Sequence, residues 1–474
     1  MTQPLEDLRF AEATALVHAI RQRQLSPVEL LEDVLRRADR LQPILNPFVT
    51  IDADRARDAA QAAEQAVMDD RPLGPLHGLP VPVKDLEPTR GLRTTSGSKF
   101  FEDYVPDFDG AVAARLRAAG AIIFAKTNTP QFGHKDSCDN LLGPPTRNPW
   151  NTARTPGGSS GGAASAVAAG IVPVAHGSDG AGSIRIPAAL CGIFGFKPSL
   201  GVVPYWPNPD FWAARSHNGP LARTVRDAAL LLNGIAGFDP RDAVSIESPV
   251  SDWLAACEVS DLRGLKAAWS PDFGYAPVDP EVRRITAAAA ARFGELGCTV
   301  EEVRVPWQDP AEWASLLWDF QSAIRNMDRL QQHPEWIEPS FLEQIERGGR
   351  ATALEVGQAQ LARTAFYEQA RSFMDGFDLL LTPQMSCVAW SVDQPPAEIA
   401  GRPTPRMFDH LPFTYMFNLT GWPAASVPCG FNSEGLPVAL QIVTGRHQDA
   451  RCLQAAAAFE ALQPWADARP PNAA

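Results

Sequence analysis

No stretch of the chain approaches the 18 consecutive apolar residues that a membrane-spanning helix needs, so no membrane span is expected. The start, Met1-Thr2-Gln3-Pro4-Leu5-Glu6-Asp7, has neither a basic nor an apolar region, and no secretory signal is expected from it. The seven cysteines (Cys138, Cys191, Cys257, Cys298, Cys387, Cys429, Cys452) form no C-x-x-C pair, which excludes zinc and thioredoxin-like readings. An odd number of scattered thiols fits a reducing compartment, so a cytoplasmic protein is expected. The eight histidines have no metal-ligand spacing and there is no H-E-x-x-H; neither metal nor cofactor is expected. Basic residues are outnumbered, 42 Lys and Arg against 55 Asp and Glu, and the net charge of −13 repels phosphate backbones. Nucleic acid is therefore an unsuitable partner. With 45% apolar and 20% charged residues, the composition excludes a disordered chain and a coiled coil.

Length, glycine and proline are what the chain has in quantity. At roughly 100–200 residues per domain, 474 residues allow two to four domains. A sheet covered by helices can absorb that length in one. The 35 Gly and 43 Pro predict many rigid loops. Residues 8–69 read as helices. Ala15, Leu16, Ala19 and Ile20 share one face, Ser26-Pro27-Val28-Glu29 is a capping box, and Asn46-Pro47 breaks the pattern before an Ala-rich helix over 54–67. From Leu79-Pro80-Val81-Pro82-Val83 onward the character changes. A helix over 111–119, Gly120 and an apolar run 121–125 predict a helix, a tight turn and a buried strand. The alternation repeats at 163–175, near 282–304, at 354–382 and at 438–462. This is α/β logic: one mixed α/β unit with an N-terminal helical layer.

The informative centre is Pro156-Gly157-Gly158-Ser159-Ser160-Gly161-Gly162, followed by an Ala-rich helix. By itself it fits a linker, a phosphate-binding loop lacking the P-loop lysine, a G-x-S-x-G nucleophile elbow at Ser159, or another serine site. The elbow reading needs a histidine, and His217, His410 and His447 are available. The text His176-Gly177-Ser178-Asp179-Gly180-Ala181-Gly182-Ser183-Ile184-Arg185 is a second Gly/Ser turn, one helix and one strand further on. Two such turns can bring their serines together at one sheet edge, and Lys84 ends an apolar run upstream.

Taken in order, these segments resemble the amidase signature family. The matching text is Leu76–Asp85, Lys126-Thr127-Asn128-Thr129-Pro130, Arg147–Trp150, Pro156–Gly162, Gly177–Ala188 and Gly195–Pro198, with weaker matches at Asp378–Pro383, Asn418–Phe431 and Gly435–Val443. The segments His176–Ala188 and Lys126–Pro130 look most like the branch of 6-aminohexanoate cyclic-dimer hydrolases. The resemblance implies an amidase signature fold, a large mixed β-sheet covered on both faces by helices. Residues 1–70 would form a helical segment packed on one α/β domain, 71–474, with the signature core at 76–201 and Lys84, Ser159 and Ser183 on a single sheet.

The resemblance also implies a Ser-Ser-Lys site. Ser183 would attack the carbonyl, Ser159 would relay the proton after a cis Gly158–Ser159 bond, and Lys84 would be the base, which requires a lowered pKa. Backbone N–H groups of Gly180, Ala181, Gly182 and Ser183 would form the oxyanion hole. Ala181 stands where the family usually has Gly, so either its φ is ordinary or the turn differs. Asp179 and Arg185 are expected to pair and brace the turn, and Ser160 to bond within it. Asp136 is a candidate substrate-lining residue, although a solvated loop is the simpler reading. Tyr205, Trp206, Phe211, Trp212, Trp313 and Trp318 are either packing residues or the wall of an apolar pocket. The pocket is expected from variable loops at 133–140, 204–214 and 310–350. The expected activity is hydrolysis of small or oligomeric amides, with anilides, esters and carbamates (urethanes) as further substrates, by a monomer or homodimer. The glutaminase component of a tRNA-dependent amidotransferase is the alternative within the fold, and a nucleotide-binding protein using Gly157–Gly162 the alternative outside it.

Overall fold

The computed structural model describes residues 8–210, 214–258 and 261–473. The start Met1–Asp7 and the aromatics Phe211 and Trp212 lie outside the described residues.

The N-terminal layer follows its sequence signals. The helix Ala13–Arg21 buries Leu16, Val17, Ala19 and Ile20. Ser26 caps the helix Pro27–Leu45 through a reciprocal box with Glu29, and Asn46 ends it in a left-handed conformation. The helix Ala53–Met68 follows, capped by Asp52. Between the last two, strand β1 (Phe48–Ile51) was not signalled, because four residues give too short a pattern. It pairs antiparallel with β3 (Ala125–Thr127), whose other edge pairs in parallel with β2 (Val83–Lys84). The apolar run 121–125 predicted a strand slightly too early; apart from an isolated bridge at Ile122, pairing starts at Ala125.

The large sheet contains β4 (Val174–Asp179), β5 (Phe194–Lys197), β6 (His217–Ala222), β7 (Lys266–Trp269), β8 (Thr299–Glu302) and β9 (Leu379–Pro383). A separate two-residue hairpin, β10 (Glu398–Ile399) and β11 (Arg402–Pro403), precedes the last two strands, β12 (Ala424–Phe431) and β13 (Pro437–Val443). The order across the large sheet is β4-β6-β5-β12-β13-β9-β7-β8. β7 is parallel to β8 and β9, and the other pairs are antiparallel. Helices cover both faces. Gly161–Ala168 and Arg185–Cys191 pack together on one, and Val225–Ile235 and Asp449–Leu462 on the other. One apolar core runs without a break from Ala13 in the first helix to Trp465 near the end.

Two expectations need correction. Lys84 and the two serines do not share one sheet. Lys84 ends β2 of the small sheet, whereas Ser183 follows β4, an edge strand of the large one. The sheets meet there, and His176 N donates to the Pro82 carbonyl at 3.1 Å. Residues 310–350 are not loops either. They form two packed helices, Ala311–Gln332 and Pro339–Gly349. Ala311, Ala314, Leu317 and Gln321 are buried at helical spacing, and Pro339 opens the second helix where its missing N–H costs nothing.

Candidate active site

Four segments converge where the sheets meet: the end of β2, the turn before Gly161–Ala168, the turn after β4, and the helix Ala311–Gln332. Lys84 is fully buried and donates from Nζ to Ser159 Oγ at 2.7 Å and to the Ser178 carbonyl at 3.2 Å. Burial removes the water that would stabilise its charge and lowers its pKa to about 7; the negative charge of Asp179 opposes the shift only in part. The Gly158–Ser159 peptide bond is cis. A Cβ at Gly158 would lie 2.3 Å from the Ser137 carbonyl oxygen, so this position admits only glycine.

The serine turns are tied to each other. Ser160 N donates to the Ser183 carbonyl at 3.1 Å, and Ser160 Oγ donates to the Ser178 carbonyl at 3.1 Å. Ser160 thus ties the first turn to β4 and to the second turn. Ser159 and Ser183 open into the same pocket.

Asp179 organises the second turn. Its carboxylate accepts from Gly182 N (2.7 Å), Ile184 N (3.1 Å), Arg185 Nε and Nη2 (both 3.0 Å) and Asn418 Nδ2 (2.8 Å). Burial alone would raise this carboxyl, but the Arg185 charge and these bonds hold it well below the usual carboxylate range. The expected Asp179–Arg185 pair is therefore present and fully buried.

Gly182 must be withdrawn from the oxyanion donors. Its N–H is committed to Asp179, which leaves Gly180, Ala181 and Ser183 as candidates. Ala181 has an ordinary φ; the left-handed position in this turn is Gly182, at φ 124°. The Ala181 carbonyl is held by Thr414 Oγ1 at 2.7 Å, so its peptide plane is fixed from outside the turn.

Asp136 is not on a solvated loop. It is buried and accepts from His410 Nε2 at 2.6 Å, facing this histidine and not the serine pocket. Two of the three histidines of the elbow reading are likewise engaged elsewhere: His410 with Asp136, and His217 with the Asp179 carbonyl, while Ser159 meets Lys84. The phosphate-cradle reading fails on space. Residues 156–162 are buried, and a Cβ at Gly162 would lie 2.4 Å from Asn128 N and Pro47 O. Among the aromatics, Tyr205 and Trp318 line the pocket. Trp206 packs on Phe108 and beneath Arg241, and Trp313 packs on Phe366.

Sequence reasoning missed Asn418 and Thr414, which reach the turn from a segment more than 200 residues away. It also missed Arg215 and Gln321 in the pocket. Only the weak match beginning at Asn418 and the pocket range 310–350, which contains Gln321, hinted at any of them.

Residues 29–453 match the model of the family described as Amidase. The chain belongs to the amidase signature family. This amidase is 38% identical over 471 residues to an acylamidase of Rhodococcus erythropolis, covering 98% of each protein. It is 34% identical to a glutamyl-tRNA(Gln) amidotransferase subunit of Methylococcus capsulatus, over 95% of this chain and 96% of that protein. Among solved structures, a bacterial aryl acylamidase of the amidase signature family superposes with a TM-score of 0.91 at 32% identity, covering 96% of this chain and 97% of that one. A 6-aminohexanoate cyclic dimer hydrolase complexed with substrate superposes at 0.88 and 28% identity, covering 98% and 99%. Like its family, this amidase is a hydrolase of amide bonds. No helix among the described residues is long and apolar enough to cross a membrane.

Proposed function

We propose that the chain hydrolyses C–N bonds of small or oligomeric amides through an acyl-enzyme on Ser183. In this reading neutral Lys84 takes a proton from Ser159, and Ser159 takes one from Ser183 as it attacks the carbonyl. Backbone N–H groups of Gly180, Ala181 and Ser183 receive the developing oxyanion. The protons return along the same path to the leaving amine, and water then releases the acyl group by the same relay. Anilides, esters and carbamates share the planar carbonyl that this arrangement attacks and belong to the proposed substrate range. The acylamidase and aryl acylamidase relatives support acyl amides, aryl amides among them. All seven cysteines are free, in keeping with work in the reducing cytoplasm.

The observation that carries this reading is the 2.7 Å contact of a buried, low-pKa lysine with Ser159 in a pocket shared with Ser183. A fluorophosphonate probe followed by peptide mass spectrometry tests it. Label on Ser183 is expected, and label on Ser159 overturns the assignment.

A second reading, glutaminase within a tRNA-dependent amidotransferase, is favoured by the amidotransferase relatives. A hydrolysis panel of aliphatic amides, anilides, cyclic amides, carbamates and glutamine separates the two. Turnover of non-glutamine amides by the purified chain alone supports the stand-alone hydrolase. Activity on glutamine alone supports the glutaminase.

A further inference from the structure

The pocket that Ser159 and Ser183 line also contains two arginines, Arg215 and Arg325, which the proposed chemistry does not use. The Arg215 guanidinium stands over the Trp318 ring, 4.2 Å from its centre. Trp318 closes on the nucleophile turn, since a Cβ at Gly180 would lie 3.4 Å from its Cζ3 and Cη2 atoms. Arg215 also borders a small apolar recess shaped by Ala181, Ala314 and Phe408. The guanidinium is thus placed beside the reacting centre by an aromatic ring and apolar walls.

Its charge lacks a close partner. Among the described residues, no carboxylate lies within 4.0 Å of the guanidinium of Arg215 or of Arg325. Asp210 lines the same pocket but accepts from Gln321 Nε2 at 3.4 Å, and Asp319 is engaged by Arg347 at 2.9 Å. Burial accordingly lowers the Arg215 pKa to about 9, helped by the positive charges of Arg325 and Arg363 and only partly opposed by Asp210 and Asp319. At neutral pH the group still carries its proton. A cation held in partly apolar surroundings without a counter-charge is unfavourable unless a ligand supplies one. A guanidinium fixed by stacking keeps its in-plane N–H edges for such a ligand, and their fork matches a carboxylate.

We propose that this pocket selects amides whose acyl or amine part carries a carboxylate, which Arg215 binds and the exposed Arg325 attracts. The inference rests on the hydrolase reading above and names the substrate class of that same site.

Matched substrate pairs test it: glutaric acid mono-p-nitroanilide against 5-methylhexanoyl p-nitroanilide, and N-acetyl-4-aminobenzoate against N-acetyl-4-isopropylaniline. In each pair an isopropyl group replaces the carboxylate, and the pairs place the anion on the acyl or the amine side. The wild type is expected to favour the carboxylate member of at least one pair by about tenfold or more in kcat/KM. Arg215→Ala is expected to reduce that ratio by a similar factor, and Arg215→Lys to retain part of it. Equal or better turnover of both neutral members overturns the inference and leaves the hydrolase reading standing. A preference that survives both Arg215 variants overturns the assignment to Arg215. Glutarate binding to the Ser183→Ala protein, followed by calorimetry, provides a readout without catalysis. Binding that Arg215→Lys weakens severalfold is expected. Absence of glutarate binding together with no release from any substrate overturns both readings.

Discussion

Burial strips Lys84 of its hydration, and this sets the pH at which it can accept a proton. With its pKa near 7 instead of 10.5, the neutral form becomes the major one just above neutrality. In the proposed mechanism Lys84 is active as a base when deprotonated, so kcat/KM for a neutral anilide should rise with pH through about 7 and level off on the alkaline side. A profile falling through that range would contradict the assignment. Lys84→Ala and Ser183→Ala should each lower kcat by about 10³-fold or more while leaving the circular dichroism spectrum unchanged. Near-wild-type turnover by folded Lys84→Ala would remove the lysine from the mechanism. The residues proposed for it were legible beforehand because Ser159 and Ser183 sit in short Gly-rich phrases and Lys84 ends the apolar run Leu79–Val83. The donors were less so. That Gly182 N–H is spent on Asp179 depends on where that carboxylate points.

At the scale of elements, the turn after β4 holds its shape through a carboxylate with six N–H donors around it. Such a buried pair is costly to break from one side, because the remaining charge has neither water nor partner. Arg185→Met should destabilise the protein by about 3–5 kcal/mol, read as a lower urea midpoint at unchanged slope. The contribution is also pH-dependent. The Asp179 pKa is depressed in the folded state, so its stabilisation is complete above the unfolded carboxyl value of about 4 and disappears as pH falls towards the folded value. Gly158→Ala tests the neighbouring turn. Its Cβ would meet backbone at 2.3 Å, so the loop carrying Ser137 must move. A loss of about 1–3 kcal/mol and most of the activity is expected, measured by thermal melts and anilide turnover. Capping signals such as Ser26 and Glu29 placed helices well, since they act within four residues. Strand starts were placed less well. Apolar runs at 121–125 and 171–175 precede the paired strands, which begin at Ala125 and Val174, because pairing is decided by the partner strand.

For the whole molecule, the N-terminal helices share one core with the rest, and β1 completes the small sheet that ends in Lys84. Removing residues 1–70 would expose the β3 edge and uncover apolar surface over the first three helices. The truncated chain is therefore expected to be insoluble or unfolded and inactive. A soluble, cooperatively melting and active 71–474 fragment would show that the layer is dispensable.

The sequence alone determined the alternation of helices and strands and the Gly-rich turns, and through its family resemblance it pointed to Lys84, Ser159 and Ser183 as the proposed catalytic residues. These depend on local propensity and on short motifs whose chemistry is carried by neighbouring residues. Only the tertiary structure decided that Lys84 and the turn bearing Ser183 come from two different sheets. It also turned Asp136 towards His410, brought Asn418 and Thr414 onto the turn, and set Arg215 over Trp318 in the pocket. Each of these is a contact between segments far apart in the chain. Side-chain packing fixes such contacts, and no periodicity within a single segment encodes them.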